Sequence, residues 1–317
     1  MSLPIRRPRF LVVGITPPPG ACDPVTMNRV LVTGGAGRIG RAVVAALRTE
    51  GIGVTALVLE DPGDLDATVV AGSAADPATV AAALAGCDGV IHLAAIPVPY
   101  GGTPLQVFGG NVAATFTVLD EAGRAGIEHA VIAGSYAATG LPFARSLLHP
   151  AYVPVDMEMP AQVEDCYGLS KQVDELTAAM AHRAYGISVV ALRFPFVGGF
   201  GDRLPGHAAR VERELEIGAR DMWSYLESRD AARAALLGLQ VDGLHAVYVA
   251  APRTVVPFPT EALLDRFHPG AERHRPLPGR TVAIDLEPAK RILGFEAHYE
   301  LDIADRPLPP DLTAAAH

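Results

Sequence analysis

Apolar residues along the chain fall into short blocks that glycine, proline and polar turns separate. Blocks rich in Val, Ile and Leu alternate with longer alanine-rich segments that have helical spacing. The strand-like blocks are apolar throughout, as expected when both faces of a sheet are buried. Strands that alternate with helices indicate βαβ units and a parallel sheet. The pattern therefore predicts an α/β fold, a Rossmann-type doubly wound parallel sheet.

The predicted strands are Val30–Val32, Val54–Leu59, Val90–Leu93, Ala130–Ala133, Ser188–Leu192 and Ala246–Ala250. The predicted helices are Arg41–Thr49, Ala78–Leu84, Asn111–Ala125, Val163–Ala184, Val211–Ile217 and Asp230–Leu239. After Arg193 a loop follows, and the stretch 252–278 is rich in proline and interrupted. We expect residues 27–197 and 224–250 to form the Rossmann domain, and residues 198–223 and 251–317 to form a small C-terminal lobe.

The first residues combine basic side chains with a short apolar run. Arg6, Arg7 and Arg9 precede Phe10–Ile15, and Pro17–Pro19 ends the run. It is short even for the apolar region of a signal peptide, and no segment elsewhere approaches the ~18 uninterrupted apolar residues of a membrane span. We expect residues 1–26 to be a poorly ordered extension, with Met27 as a candidate original start. The alternative is that Phe10–Gly14 adds an edge strand.

Composition excludes several classes of partner. The 317-residue chain has a net charge of −9 and no stripe of Lys and Arg, which argues against nucleic acid as a partner. Cys22, Cys87 and Cys166 lie far apart without C-x-x-C spacing, so neither a disulfide framework nor a metal site is predicted. A reducing cytoplasm is the simplest location, and no membrane partner is expected.

A glycine-rich turn between the first strand and the first helix is the first chemical signal. Gly34 allows a sharp turn off the strand, Gly37 lets a pyrophosphate approach the backbone, and Gly40 lets the helix pack close to the sheet. The free amides and positive dipole end of the helix then face the phosphates, with Arg38 and Ile39 inside the turn. The alternative is a glycine-rich turn without a ligand. Its position between a strand and a helix favours a dinucleotide site.

Tyr167 and Lys171 are the candidate chemical pair. Their i, i+4 spacing places both side chains on one face of a helix. A lysine ammonium one turn away favours the phenolate, which can exchange a proton with a substrate while a nicotinamide exchanges a hydride. Ser135 follows the strand Ala130–Ala133, at the sheet edge where ligands of such folds bind. We expect its hydroxyl to hold the substrate oxygen, the alternative being a serine that caps a turn.

These residues resemble the extended short-chain dehydrogenase/reductase family, which includes NAD-dependent epimerases, dehydratases and sugar dehydrogenases. The family's patterns appear in order along the chain, as Thr33–Gly40, His92–Ala95, Asn111–Thr115, Ser135, Tyr167–Lys171 and Arg229–Ala234. The resemblance implies that Ser135, Tyr167, Lys171 and Asn111 are catalytic. Asn111 would bend its helix and hold a water near Lys171, the alternative being an asparagine at a helix start.

The resemblance also implies a cofactor set, in which NAD is favoured and NADP is possible. The expected residues are Gly34, Gly37, Arg38, Ile39, Gly40, Glu60, Ser73, Ala94, Tyr167 and Lys171. Val58 stands where NAD-binding relatives carry an acid, and Ser73 follows Gly72 where an aspartate is common. No Lys or Arg lies between Arg48 and Arg124, and Leu59, Glu60 and Asp61 offer a 2′-phosphate no cation. Arg38 is the one residue that could serve NADP.

The expected activity is that of an NAD(P)-dependent oxidoreductase acting on a small polar substrate, such as a sugar or sugar acid. The alternatives are a sugar-nucleotide epimerase that retains its NAD, and a cofactor-binding regulator without turnover. No carboxylate follows Ser135, which argues against water elimination. Candidate substrate residues are Ile96, Ser135, Tyr136, Arg193 and Arg229. The segment Ile96–Tyr100 is expected to form the near wall of the substrate site, and His207 and Trp223 are candidates for its far wall. Scattered cations that could bind a substrate anion are Arg203, Arg210 and Arg213.

The family resemblance implies a homodimer as well. Relatives commonly pair the two helices predicted here as Asn111–Ala125 and Val163–Ala184. Apolar residues at helical spacing on them are Val112, Phe116, Leu119, Leu176 and Met180. The alternative is that these residues pack on the protein's own sheet.

Overall fold

The computed structural model describes residues 25–310. The expectations for the first 24 residues, including the edge strand Phe10–Gly14 and Cys22, lie outside the described residues. Val25 is tied to the fold by two hydrogen bonds with Gln240. Its N–H donates to Oε1 at 2.9 Å and its carbonyl accepts from Nε2 at 3.3 Å. Ordered structure therefore precedes Met27.

The strands, in chain order, are β1 Arg29–Thr33, β2 Gly53–Val58, β3 Thr68–Ala71, β4 Gly89–His92, β5 His129–Ser135, β6 Tyr152–Val153, β7 Ser188–Phe194, β8 Phe196–Gly198, β9 Tyr225–Glu227, β10 Leu244–Tyr248 and β11 Glu272–Arg273. The helices are α1 Arg38–Thr49, α2 Pro77–Leu84, α3 Pro104–Arg124, α4 Cys166–Tyr185, α5 Leu204–Arg213, α6 Leu215–Ala219, α7 Ser228–Gly238, α8 Thr260–Phe267 and α9 Glu287–Leu293. A short 3₁₀ turn covers Tyr136–Thr139.

Seven strands of the described chain form one sheet in the order β3-β2-β1-β4-β5-β7-β10, and every neighbouring pair is parallel. This confirms the predicted Rossmann-type fold. The strand order reverses between β1 and β4, so the segments after these two strands diverge at the carboxyl edge. In open α/β sheets this is the point where ligands bind.

Both faces of the sheet are covered by helices. Val30 and Val32 of β1 lie in one core with Val43 and Leu47 of α1. Leu31, between them in sequence, points the other way into a core with α2, α3 and α4. Alternate residues of a strand face opposite sides, so a strand buried on both sides must be apolar at every position. No helix of residues 25–310 is long and apolar enough to cross a membrane.

A third core lies outside the sheet, around the fully buried Trp223, with Tyr225 and Leu264. It joins β9 to α8, a helix that the proline-rich pattern did not predict. The last helix does not stay with this core. Leu293 of α9 and Phe295 pack in the core that α1 and α7 share, so this part of the predicted lobe returns to the Rossmann sheet.

α3 begins seven residues earlier in the chain than the predicted Asn111 start. Thr103 caps it, with its Oγ1 accepting from the Gln106 N–H and the Gln106 side chain accepting from the Thr103 N–H. Pro104 at the first helical position suits this start. Asn111 is therefore an interior helix residue, and the helix-start interpretation of this asparagine is wrong.

Candidate active site

The glycine turn joins β1 to α1 at the crevice. Gly34 has φ +67°, and a Cβ there would lie 2.9 Å from the backbone nitrogen of Ala94. A Cβ on Gly40 would lie 2.2 Å from the carbonyl oxygen of Gly34. The N-cap of α1 is Gly37, no side chain caps the helix, and its first turn has no acidic residue. The helix start therefore suits an anion such as a pyrophosphate, and the predicted cradle fits a dinucleotide.

A buried histidine, His92, links the ends of β1 and β4 below this turn through hydrogen bonds. Thr33 Oγ1 accepts from the N–H groups of Leu93 and Ala94 at 3.2 Å each, so its own proton goes to His92 Nδ1 at 2.7 Å. His92 Nε2 then donates to Thr115 Oγ1 of α3 at 3.1 Å. Burial lowers the pKa of His92 to about 4, so the ring is neutral. The sequence pattern around His92 did not indicate these contacts.

Tyr167 and Lys171 lie in the first two turns of α4, as their spacing predicts. Asp165 caps the helix by accepting from the Gly168 N–H at 2.7 Å. Lys171 Nζ lies 5.8 Å from the centre of the Tyr167 ring, and the Phe143 ring meets that ring edge-on at 5.8 Å. Lys171 Nζ donates to the Ala133 carbonyl at 3.0 Å, which fastens α4 to β5.

Ser135 ends β5 and lies against the start of α4. Its Oγ accepts from the Ala137 N–H at 3.1 Å, so it does cap the short turn that follows. A Cβ on Gly168 would lie 2.6 Å from the Ala137 oxygen, which shows how closely the serine turn and the tyrosine helix pack. Its hydroxyl proton is not used by the cap, so capping and a role toward substrate are compatible.

Asn111 joins three parts of the site. Its side chain accepts from the Ile96 N–H at 2.8 Å and donates to the Ile96 carbonyl at 3.1 Å and to Ser170 Oγ at 3.2 Å. These bonds hold the segment after β4, the predicted near wall, against α3 and α4. The sequence did not indicate this contact between Asn111 and Ile96.

The predicted adenosine end lies beyond β2. Leu59 is 78% exposed and Glu60 is exposed beside it. Arg41, the nearby cation, is held by a bidentate pair with Asp64 at 3.0 and 2.9 Å. Arg38 makes no ion pair with any residue that the structure describes. Ser73 Oγ accepts from the Ala75 N–H at 3.1 Å, which shapes the turn after β3.

Comparison with known families decides the classification. The model of the NAD dependent epimerase/dehydratase family matches residues 30–249. The chain belongs to this family. The match runs from β1 through β10, so it covers the whole parallel sheet and the site just described, and it confirms both the family resemblance and an enzyme of this class.

Two curated proteins with different activities and one solved structure are similar to this chain. The UDP-glucose 4-epimerase of Corynebacterium glutamicum is 25% identical over 251 residues, which are 69% of this chain and 74% of that protein. The uronate dehydrogenase of Agrobacterium fabrum is 30% identical over 171 residues, 53% of this chain and 60% of that protein. A short-chain dehydrogenase/reductase superfamily protein from Agrobacterium tumefaciens, solved with bound NAD, has a TM-score of 0.65 at 24% identity, covering 86% of this chain and 93% of that one.

Two candidate substrate arginines of this epimerase/dehydratase chain already have partners. The Arg193 guanidinium forms a bidentate pair with Glu175 at 2.7 and 2.9 Å, and its Nη1 donates to the Tyr248 hydroxyl at 2.8 Å. Arg229 Nε donates to Glu227 at 3.0 Å, and its guanidinium covers the Tyr299 ring at 3.7 Å. Neither guanidinium can bind a substrate carboxylate without first breaking these contacts.

The aromatic candidates differ in how deeply they are buried. Tyr136 is 1% exposed, its ring lies 5.8 Å from Tyr248, and burial raises the pKa of its hydroxyl well above the usual value. Trp223 is 0% exposed and donates its indole N–H to the Leu215 carbonyl at 2.9 Å. His207 stacks on Phe196 with ring centres 3.6 Å apart. Trp223 is therefore core packing, while Phe196, the first residue of β8, and His207 of α5 are half-buried.

Proposed function

We propose that this protein is an NAD-dependent oxidoreductase acting on a hydroxyl or carbonyl of a small polar substrate such as a sugar or sugar acid. The observation that carries the proposal is the Tyr167–Lys171 pair at the carboxyl edge of the sheet, packed against the Ser135 turn. When bound, NAD would supply the hydride acceptor or donor. A cofactor-binding regulator would have no need of this pair.

Each side chain has a defined task in the oxidation of an alcohol. Tyr167 takes the hydroxyl proton as the carbon loses its hydride, and it returns a proton in the reverse direction. Lys171 places positive charge beside the phenolate and would hold the ribose of a bound cofactor. Ser135 donates its free hydroxyl proton to the substrate oxygen. Asn111 holds the Ile96 wall in place, which is a positioning task.

The cofactor we propose is NAD rather than NADP. The loop between β2 and β3 contains Glu60, Asp61, Asp64 and Asp66 and no cation, so it would repel a 2′-phosphate. Arg41 is neutralised by Asp64, which leaves Arg38 as the one candidate phosphate ligand in this part of the described chain. Side-by-side fluorescence titration should therefore give tighter binding of NADH than of NADPH, and the opposite order would overturn this choice.

The substrate class follows from the cations of the lobe. A nucleotide sugar would need clustered positive charge for its diphosphate. Most described arginines of the lobe already face carboxylates, in the pairs Arg210–Glu214, Arg253–Glu300, Arg273–Asp265, Arg275–Asp285, Arg280–Asp305 and Arg306–Glu212. A sugar or sugar acid needs fewer cations, so we place it ahead of a nucleotide sugar. We also propose a homodimer that works in the cytoplasm.

A dehydrogenase screen tests the proposal. Purified protein with NAD⁺ is offered free sugars, sugar acids and small alcohols, and formation of NADH is followed by absorbance. We expect steady NADH formation with at least one sugar or sugar acid. Tyr167→Phe should lower turnover by at least ~100-fold while NADH still binds.

Two outcomes would contradict the proposal. Conversion of a UDP-sugar to its epimer without net NADH formation would show the epimerase activity instead. Turnover of Tyr167→Phe close to that of the unchanged protein would remove the mechanism.

A further inference from the structure

Asp174 is a buried carboxylate one helical turn beyond Lys171 on α4. It is 1% exposed and Lys171 is 3% exposed. Its Oδ2 accepts from Lys171 Nζ at 2.9 Å, and its Oδ1 has no hydrogen-bond partner among residues 25–310. Burying an ion is costly unless it is paired and fully hydrogen-bonded. Asp174 bears this cost at one oxygen, and its other oxygen pairs with a single lysine.

The contacts of Lys171 show what this carboxylate does. An ammonium group has three N–H donors. One goes to the Ala133 carbonyl at 3.0 Å and one to Asp174 at 2.9 Å. These two bonds fix the direction of the third donor, on a nitrogen that lies 5.8 Å from the centre of the Tyr167 ring.

The charges around Lys171 single out Asp174 as its counter-ion. Burial by itself would lower the pKa of Lys171, but Asp174 first, and then Tyr167 and Glu175, raise it above its usual value. Glu175 is engaged in its bidentate pair with Arg193 of β7. His92 of β4 is neutral, since burial lowers its pKa to about 4. α3 faces the cluster with uncharged groups, Asn111 and Thr115.

We propose that Asp174 is a positioning residue that keeps the buried Lys171 ammonium charged and aims its third donor toward the cofactor and the tyrosine. The inference deepens the proposed function, because it concerns the same site. The competing explanation is a structural ion pair that only holds α4 against β5. Both explanations predict that Lys171 loses proton affinity when Asp174 is removed, and they differ in whether this loss moves the alkaline limb of the rate of alcohol oxidation.

The test is a titration of Lys171 in the apoprotein, and it uses the small number of lysines in the chain. The chain contains two lysines, Lys171 and Lys290, so the protein grown with ¹³C-lysine gives two Cε signals to titrate. Lys290→Arg assigns them, and Lys290 in the other samples serves as the exposed internal standard. In the unchanged protein we expect the pKa of Lys171 to lie above the usual lysine value. In Asp174→Asn it should fall by at least one unit, roughly a tenfold loss of proton affinity.

Matched variants separate this effect from loss of structure. Glu175→Gln makes the same chemical change one residue along and breaks the pair with Arg193. It should lower the melting temperature and leave the Lys171 pKa within about half a unit. Asp174→Glu restores the anion and should return the pKa above its usual value. If Asp174→Asn does not fold, Asp174→Ser takes its place.

Activity gives a second measurement once a substrate is known. With Asp174→Asn, the rate of alcohol oxidation should fall on the alkaline side at a pH at least one unit lower than with the unchanged protein, because the ammonium is lost earlier. An unchanged Lys171 titration in Asp174→Asn would overturn the inference, whatever the outcome of the substrate screen. If the Lys171 pKa falls in Asp174→Asn as expected but the unchanged protein shows no dehydrogenase activity, only the proposed function is contradicted.

Discussion

Gly40 shows how one missing side-chain atom shapes the cofactor crevice. A Cβ there would lie 2.2 Å from the Gly34 oxygen and 2.8 Å from the Cα of Gly35, and both are backbone atoms that cannot rotate away. The turn and the helix approach each other as closely as backbone allows. The pyrophosphate cradle depends on this approach, since the amides at the start of α1 must face the crevice.

Gly40→Ala should therefore damage both stability and cofactor binding. We expect about 1–3 kcal/mol of lost stability from overpacking, and at least a tenfold weaker NADH affinity. Gly110→Ala in α3 is the control, because a Cβ there meets no atom within 4 Å, and it should gain up to about 1 kcal/mol in helix propensity. Urea unfolding and NADH titration measure the two effects. NADH affinity unchanged by Gly40→Ala would argue against a phosphate site at this turn.

At the scale of elements, His92 connects β1, β4 and α3 through Thr33 and Thr115. Burial lowers the pKa of His92 to about 4, whereas an unfolded histidine titrates near 6.5. Between these values the unfolded chain binds more protons than the folded one, so folding stability increases with pH in this window. Its full contribution is present above about pH 6.5, and it is lost as pH falls toward 4.

We accordingly predict that His92 contributes one separable part of the acid sensitivity of the fold, beside His207 and His268, whose pKa burial also lowers. Stability measured by urea unfolding should fall between pH 7.5 and pH 5, with His92 accounting for roughly 2 kcal/mol of that fall. His92→Gln, which cannot take a proton, should be less stable at pH 7.5 but should lose that part of the pH dependence. His245→Gln, a change at a more exposed histidine of β10, should keep the full pH dependence. An equal pH dependence in the unchanged protein and His92→Gln would disprove this assignment.

At the scale of the whole molecule, apolar side chains on α3 and α4 remain open to solvent. Phe116 is 49% exposed and Leu176 is 68% exposed, while Leu119 is fully buried in the protein's own core. Val112 and Met180 are half-buried. Of the five residues predicted for a dimer contact, Phe116 and Leu176 thus present most of the free apolar surface, on two helices that pack side by side. Such a surface supports pairing with a second copy.

The dimer proposal is tested with a charge in this surface. Phe116→Glu and Leu176→Glu should each give a monomer by light scattering at micromolar concentration, because an unpaired carboxylate in an apolar interface is costly. Leu244→Glu, on the edge strand β10 and also exposed, should leave the assembly unchanged. A monomer in the unchanged protein would refute the dimer.

Part of this architecture is local and can be predicted from the sequence. Strand and helix periodicity gave the parallel sheet, since a strand buried on both faces is apolar at every position. The glycine turn and the Tyr167–Lys171 pair depend on backbone geometry over eight residues or fewer, so spacing alone places them. The start of α3 was not predicted, although the Thr103–Gln106 capping box is a sequence signal of a helix start. Helix α8 was not predicted because prolines flank it on both sides.

Contacts between distant segments were decided by the tertiary structure alone. Arg193 looks like a substrate clamp in sequence, yet Glu175, on the preceding helix, and Tyr248, on the neighbouring strand, occupy its guanidinium. Asp174 looks like one more polar helix residue, yet the packing of α4 on β5 buries it beside Lys171 and Ala133. Periodicity fixes which face of an element is buried. Which charged atom from elsewhere in the chain reaches that face depends on how the elements pack, and this determines whether a charge binds a ligand or another side chain.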